Sequence, residues 1–423
     1  IIMKPYKYMF PLVCVLLPLF LSGCAKNSAN LIGDSNGQST AESTQAGSKT
    51  DASVKDISSE ILQSSSAAAG SVKETGEESS SNDRDPYEAR AEELLSGMTL
   101  EEKVGQMFFV RLRKTSAITD INDYHLGGYI MFGDDFKDET QESIKSLINS
   151  YQSVSSIPLL IGVDEEGGTV CRVSKYPAFR SQPFQSPQDL FQKGGLKAIE
   201  EDTKEKASLL LSLGINVNLA PVSDVSVSSN DFIYRRSFGQ DANGTSEYVT
   251  TVVGEMKKEG IGSVLKHFPG YGSNGDTHTD IITDTRDYSQ FVQSDFLPFE
   301  AGIKAGADSI LVSHNIINSM DEKNPASLSP AVHDILREKL NFQGVIMTDD
   351  LSMEAIKKSS SDVESAVLAI DAGNDLLVAT DFDTQIPAVL EAINSGRLKE
   401  ARIDASVVRI LAWKLRLGII RAV

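Results

Sequence analysis

Cysteine is nearly absent: Cys14, Cys24 and Cys171 are the only three in 423 residues. So few thiols cannot staple a chain of this length, and a disulfide scaffold is excluded. Cations are also in deficit, with 40 Lys and Arg against 59 Asp and Glu and a net charge of −19. A general nucleic-acid binder needs clustered Lys and Arg to meet phosphates, so that class is excluded as well. No GxxxxGK[ST] loop occurs, which removes the Walker-type phosphate cradle. No apolar run reaches the ~18 residues that a membrane-crossing helix needs. What remains is a globular balance of 40% hydrophobic and 23% charged residues, too apolar for wholesale disorder. At ~150 residues per domain the length admits one large domain or two to three small ones.

The charge divides the chain. Residues 1–24 carry Lys4 and Lys7 and no acid, residues 25–85 carry −5, and the remainder carries −16. After Lys4 and Lys7 comes an apolar run of thirteen residues, 9–21, interrupted by Pro11 and Pro18. That is the length of a signal-peptide core. Leu21-Ser22-Gly23-Cys24 follows and resembles the bacterial lipobox, in which the cysteine is acylated. Residues 1–23 are therefore expected to be a lipoprotein signal peptide and Cys24 the lipidated residue. Two or three acyl chains anchor a protein firmly, where one is marginal. Residues 24–85 read as a flexible linker: from 25 to 85 there is no Phe, Tyr or Trp, and Ser, Ala, Gly, Asn, Thr and Glu dominate. Such a composition buries too little surface to offset ordering entropy. As a coil it spans roughly 40–50 Å.

From residue 86 to 423 the pattern is that of an α/β protein. Thr99-Leu100-Glu101-Glu102 is a capping box that opens a helix. Short apolar runs recur at 107–112, 127–132, 158–166, 215–225, 262–269, 309–314, 344–351 and 375–380. Amphipathic stretches such as 246–258, 291–305, 329–340 and 363–372 lie between them. Near-continuous apolar strands alternating with helices imply a parallel sheet covered by helices. Eight such units fit a single (β/α)8 barrel of the TIM type better than an open doubly wound sheet. The stretch 404–417 reads as a closing helix, so the site is expected to be complete within the barrel.

Function in such barrels sits at the C-terminal ends of the strands. The polar residues that close the runs are Asp164-Glu165-Glu166, Asp224, Lys266-His267, Ser313-His314 and Asp349-Asp350, with His278 in the loop after Lys266-His267. Asp276 and His278, two apart, suit a carboxylate that orients an imidazole and stabilises its cation, which is acid/base machinery. A metal reading of Asp276-x-His278-x-Asp280 has no further histidine close by in sequence. Paired acids ending a buried strand, Asp349 and Asp350, are costly unless compensated. They suit a covalent nucleophile with a hydrogen-bonding neighbour, or, for Asp350, a helix N-cap.

Four ordered segments carry a resemblance. KHFPGYG followed by Asp276-Thr277-His278, GVIMTDDLSM (344–353), Asp164-Glu165-Glu166-Gly167-Gly168-Thr169-Val170-Cys171-Arg172 and Arg235-Arg236-Ser237-Phe238-Gly239 resemble motifs of glycoside hydrolase family 3, in its bacterial β-N-acetylglucosaminidase branch. The resemblance implies Asp349 as nucleophile, His278 as general acid/base and Asp276 as its dyad partner. It implies Asp164, Arg172, Arg236, Lys266 and His267 as the residues that hold sugar hydroxyls and the N-acetyl group. It implies a retaining exo-hydrolysis of terminal β-linked GlcNAc through a glycosyl–Asp intermediate, with no cofactor and no metal.

The chain departs from the family pattern in four places. Tyr271 stands where His is common, Glu165 replaces Gln, Thr169 replaces Arg, and three residues rather than four separate Gly272 from Asp276. Tyr271 is thereby a candidate for stacking on a leaving-group sugar. A β-glucosidase or xylosidase of the same family, a β-N-acetylglucosaminide phosphorylase, and a non-catalytic sugar-binding lipoprotein are the alternative readings. The exported address points to peptidoglycan fragments (muropeptides) as substrate and to a lipid-anchored location at the cell surface or outer membrane.

Overall fold

Each of the eight apolar runs forms a strand. They are β1 (Phe108–Arg111), β2 (Gly128–Met131), β3 (Leu160–Val163), β4 (Val217–Asn218), β5 (Gly262–Phe268), β6 (Ser309–Val312), β7 (Val345–Thr348) and β8 (Leu377–Ala379). In this computed structural model, which describes residues 85–277 and 280–421, each strand from β1 to β6 pairs in parallel with the next strand in chain order. The ring closes where β1 pairs with β8 at Phe108↔Leu377 and a bridge joins Met347 to Leu376. This is the (β/α)8 barrel that the alternation implies. The signal peptide, Cys24 and the linker up to residue 84 lie outside the described residues, as do His278 and Thr279.

One strand is far shorter than its apolar run. The stretch 215–225 yields only the two residues of β4. Pro221 has no N–H to give to a ladder, so pairing lapses after Asn218 and resumes as a single bridge between Val222 and Lys266. The helices begin where their caps predict. Thr99 and Glu102 form the reciprocal capping box, with Thr99 N donating to Glu102 Oε2 at 2.8 Å. The stretch 291–305 starts with a wider π turn, Phe291–Asp295, before the α-helix Phe296–Ala305. Inside the barrel the fit is tight: a Cβ on Gly162 would lie 2.4 Å from the Phe109 ring, which only glycine avoids.

The N-terminal end of the barrel is closed by charge as well as by packing. Asp375, just before β8, is fully buried and meets Arg337 at 2.5 Å, Arg409 at 3.2 Å and Arg402 at 3.6 Å. It also accepts from Ile346 N and Ser406 Oγ. Burial opposes its ionisation, yet the three guanidiniums outweigh that and hold the carboxyl below its ordinary value. At the same end Asp85 caps the helix Pro86–Leu95 and pairs with Arg416 at 3.2 Å. Asp85 borders a groove with Gly260, Gly306 and Gly344, which precede β5, β6 and β7. Asp85 therefore sits on the N-terminal face of the barrel.

Lys414 is the costly residue of this face. Its ammonium is fully buried, with Gln106 Oε1 at 2.7 Å as the hydrogen-bond acceptor, and burial pushes it down to about 7. A lysine whose folded value is depressed is no burden above its unfolded value of about 10.4, where both states are neutral. As pH falls from there towards 7, only the unfolded chain takes up the proton, and stability is lost. Lys414→Met is thus expected to raise unfolding free energy at pH 7 by about 1–3 kcal/mol, after allowing for the orphaned Gln106 oxygen. The gain should vanish near pH 10. Urea titrations at the two pH values check this, and an equal gain at both would contradict it.

Candidate active site

Strand ends deliver the charged residues to the opposite, C-terminal face. β3 leads into Asp164 and then into a small hairpin, Glu165–Gly167 with Val170–Cys171. The buried Glu165 carboxyl accepts from the backbone N–H groups of Arg172, Val173 and Ser174 at 2.9, 2.7 and 3.3 Å, and from the Ser174 hydroxyl. Burial pushes this carboxyl up from its ordinary value. Four donors face it, so an all-acceptor carboxylate satisfies the turn, and the replacement of Gln by Glu is locally consistent. The turn aims Arg172 into the site. There its guanidinium lies 3.8 Å from Asp164 and 5.8 Å from the Phe132 ring, which also carries Arg111 at 4.0 Å. Arg172 Nε is buried without a protein partner, leaving a donor for a ligand.

Glu166 is the hub. Arg236 grips it with two hydrogen bonds of 3.0 and 2.8 Å, and Lys266 Nζ, at the end of β5, lies 2.6 Å from both Glu166 and Asp164. Burial disfavours the Glu166 anion, but Arg236 and Lys266 outweigh it and hold the carboxyl far below the ordinary range. Arg236 is in turn raised, its burial overcome by Glu166. The turn that presents Arg236 is anchored by Phe238, whose ring stacks on Tyr248 at 4.7 Å.

His267 continues the network. Its Nδ1 lies 2.8 Å from Asp224 and its Nε2 3.1 Å from Arg236 Nη2. A guanidinium cannot accept, so Nε2 accepts and the proton sits on Nδ1, facing the carboxylate. Asp224 also receives His267 N at 3.0 Å and Tyr271 N at 2.7 Å. Asparagine offers only one acceptor oxygen for these three donors. Asp224→Asn is therefore expected to lower kcat/KM about 10–100-fold by misplacing His267 and the following loop. Steady-state kinetics on a variant with unchanged Tm check it, and wild-type kinetics would refute it.

β7 ends in Asp349-Asp350. Asp349 Oδ1 accepts from Asp350 N at 2.9 Å. Asp350 is occupied locally, accepting from Ser352 N at 2.9 Å and Thr380 Oγ1 at 3.2 Å. From β6, His314 donates through Nε2 to the Asp350 carbonyl at 3.0 Å while Nδ1 takes Ser327 Oγ at 2.7 Å. This histidine thus pins the turn that presents Asp349. A cleft of about 410 Å³ brings Asp164, Arg172, Arg236, Lys266, His267 and Asp349 together.

The loop after β5 holds a half-buried Asp276; its sequence partner His278 lies outside the described residues. Tyr271 is not where a stacking platform would be. It is 1% exposed, edge-on to His267 at 5.1 Å, with its hydroxyl 2.7 Å from Thr277. The phenol fills the loop's interior, because its backbone N–H is drawn in by Asp224. Gly270 to Gly275 also has the spacing GxGxxG after a strand, but the next helix begins only at Tyr288. No helix N-terminus follows to hold a pyrophosphate. Sequence reasoning gave no role to Glu166, Asp224 or His314; each stood at a strand end, and that placement was the available signal.

Residues 99–413 match the glycosyl hydrolase family 3 N terminal domain. The chain belongs to this family. Beta-hexosaminidase LpqI of Mycobacterium tuberculosis is 30% identical over 328 residues, covering 74% of this chain and 82% of LpqI. Beta-hexosaminidase A of Pseudoalteromonas piscicida is 29% identical over 327 residues, or 70% of this chain, and the match spans only 54% of that longer protein. Among solved structures, a family 3 β-N-acetylglucosaminidase from Paenibacillus sp. str. FPU-7 superposes with a TM-score of 0.72 at 31% identity, over 76% of this chain and 63% of that one. In the family 3 barrel the described cleft lies at the strand C-termini, where the charge network converges.

Proposed function

We propose that the protein is a retaining exo-β-N-acetylglucosaminidase that removes terminal β-linked GlcNAc from peptidoglycan fragments. The observation that carries this is Asp349, held at the end of β7 in one cleft with the Glu166–Arg236–Lys266 hub. Charged donors in a half-buried cleft suit sugar hydroxyls and an acetamido carbonyl, which Asp164, Arg172, Arg236, Lys266 and His267 would bind. Asp349 attacks the anomeric carbon as the glycosidic oxygen leaves with the proton of His278. Water then attacks the glycosyl–Asp ester, giving its proton back to His278 and freeing Asp349. Asp276 orients the imidazole. The names of the relatives described above support the acetamido sugar.

The same proposal places the catalytic domain (86–423) outside the cytoplasmic membrane, exported by residues 1–23 and tethered by an acylated Cys24 through the linker 24–85. The test uses the full-length protein on aryl β-GlcNAc, β-glucoside and β-xyloside substrates, with and without phosphate, and then on defined muropeptides. Preference for the acetamido sugar and indifference to phosphate are expected. A preferred glucoside, or turnover that needs phosphate, would overturn the assignment. Cys24→Ser should move the activity from the membrane fraction to the soluble one.

A further inference from the structure

Below the loop that leaves β5 lies a buried ion network that none of the roles above uses. Arg286 reaches Asp284 at 2.8 and 2.9 Å, both oxygens of Asp295 at 2.9 and 3.0 Å, and the Gly270 carbonyl at 3.0 Å. Its guanidinium also sits 4.2 Å over the Phe291 ring. Asp284 and Asp295 are 1% and 2% exposed. From the loop side, Asn274 Nδ2 donates to Asp284 at 2.6 Å and to the Tyr271 carbonyl at 2.9 Å. The contact is close enough to dictate the loop's residues. Gly270 and Gly272 have φ of 120° and 54°, and a Cβ would lie 2.4 Å from Asp295 and 2.6 Å from the Arg286 guanidinium, respectively.

Two fixed points result, at Gly270 and Asn274, on the segment that runs two residues later into Asp276. We propose that Arg286, backed by Asp284 and Asp295, is a positioning residue for acid/base catalysis: it fixes the root of the loop that runs into Asp276 and carries, two residues further in sequence, the proposed acid/base His278. The inference rests on the reading of His278 as acid/base. The rigid, planar fork of arginine is what the clamp uses, since its several N–H donors reach two carboxylates and a carbonyl at once; the point charge of lysine cannot.

The readout is leaving-group dependence, because a good leaving group needs no proton and a poor one does. The full-length protein is assayed with phenyl and 2,4-dinitrophenyl β-GlcNAc, comparing wild type, Arg286→Lys, Asn274→Ala and His278→Ala, with Tm measured for each. For Arg286→Lys and for Asn274→Ala, kcat/KM on the phenyl glycoside should fall about 10–100-fold. On the dinitrophenyl glycoside it should fall less than about threefold. Asn274→Ala keeps every charge of the network and removes only one donor to Asp284, so it decides the matter if Arg286→Lys fails to fold. Equal losses on both substrates, or no loss in a folded variant, overturn the clamp. If His278→Ala shows the leaving-group dependence and the clamp variants do not, the clamp alone fails. If His278→Ala shows none, the acid/base reading fails and the clamp goes with it.

Discussion

Asp349→Gly is expected to cut kcat on the order of 10⁴–10⁶-fold, the loss seen when a covalent nucleophile is deleted from an otherwise intact site. Folding should survive, because the strand around it is fixed by other groups: β7 pairs with β6 from Val345 to Thr348, and His314 holds the Asp350 carbonyl. Azide is small enough to occupy the space that the carboxylate leaves. With an activated aryl β-GlcNAc it should restore turnover and give the α-glycosyl azide, since it would attack from the face that the proposed mechanism gives to Asp349. The product anomer, read by NMR, separates nucleophile from mere electrostatic support. A β-configured azide, or retention of more than a few per cent of wild-type kcat, would remove Asp349 from that role.

The second large effect is on folding. Asp375→Asn keeps the shape and removes the charge on which Arg337, Arg402 and Arg409 converge. Breaking a buried ion network by deleting one partner costs about 3–5 kcal/mol, because the charges left behind stay desolvated. That is a large part of the ~5–15 kcal/mol that holds a domain together. Chemical denaturation should show it as a lower midpoint, while kcat per folded molecule stays at the wild-type level, because the cluster lies at the end of the barrel away from the cleft. The pH dependence has a definite sign. The Asp375 carboxyl is held below its ordinary value, so its contribution is present above about pH 4 and is lost as pH falls below that. A wild-type midpoint, or a loss of activity without a loss of stability, would contradict this.

Much of the barrel was legible because buried parallel strands read as bare apolar runs. The lapse at β4 was legible too, in Pro221, but the run 215–225 hid it. The acids and bases at strand ends were visible as well, yet their partnerships were not. Lys266 meets Asp164 across 102 residues, Arg236 meets Glu166 across 70 and His267 meets Asp224 across 43. Local spacing carries no trace of such pairs, so Glu166 looked like one more acid beside Asp164. Tyr271 misled for a related reason: its neighbours in sequence are loop glycines, while the carboxylate that draws its backbone inward comes from beyond another strand.

The position of Asp85, beside Arg416 and below β5, β6 and β7, has a practical consequence. A bead, a sensor surface or a fused partner joined directly at Asp85 would grip the barrel by its back. The cleft that Asp349 lines opens at the other end of the barrel, so its mouth stays uncovered by the support.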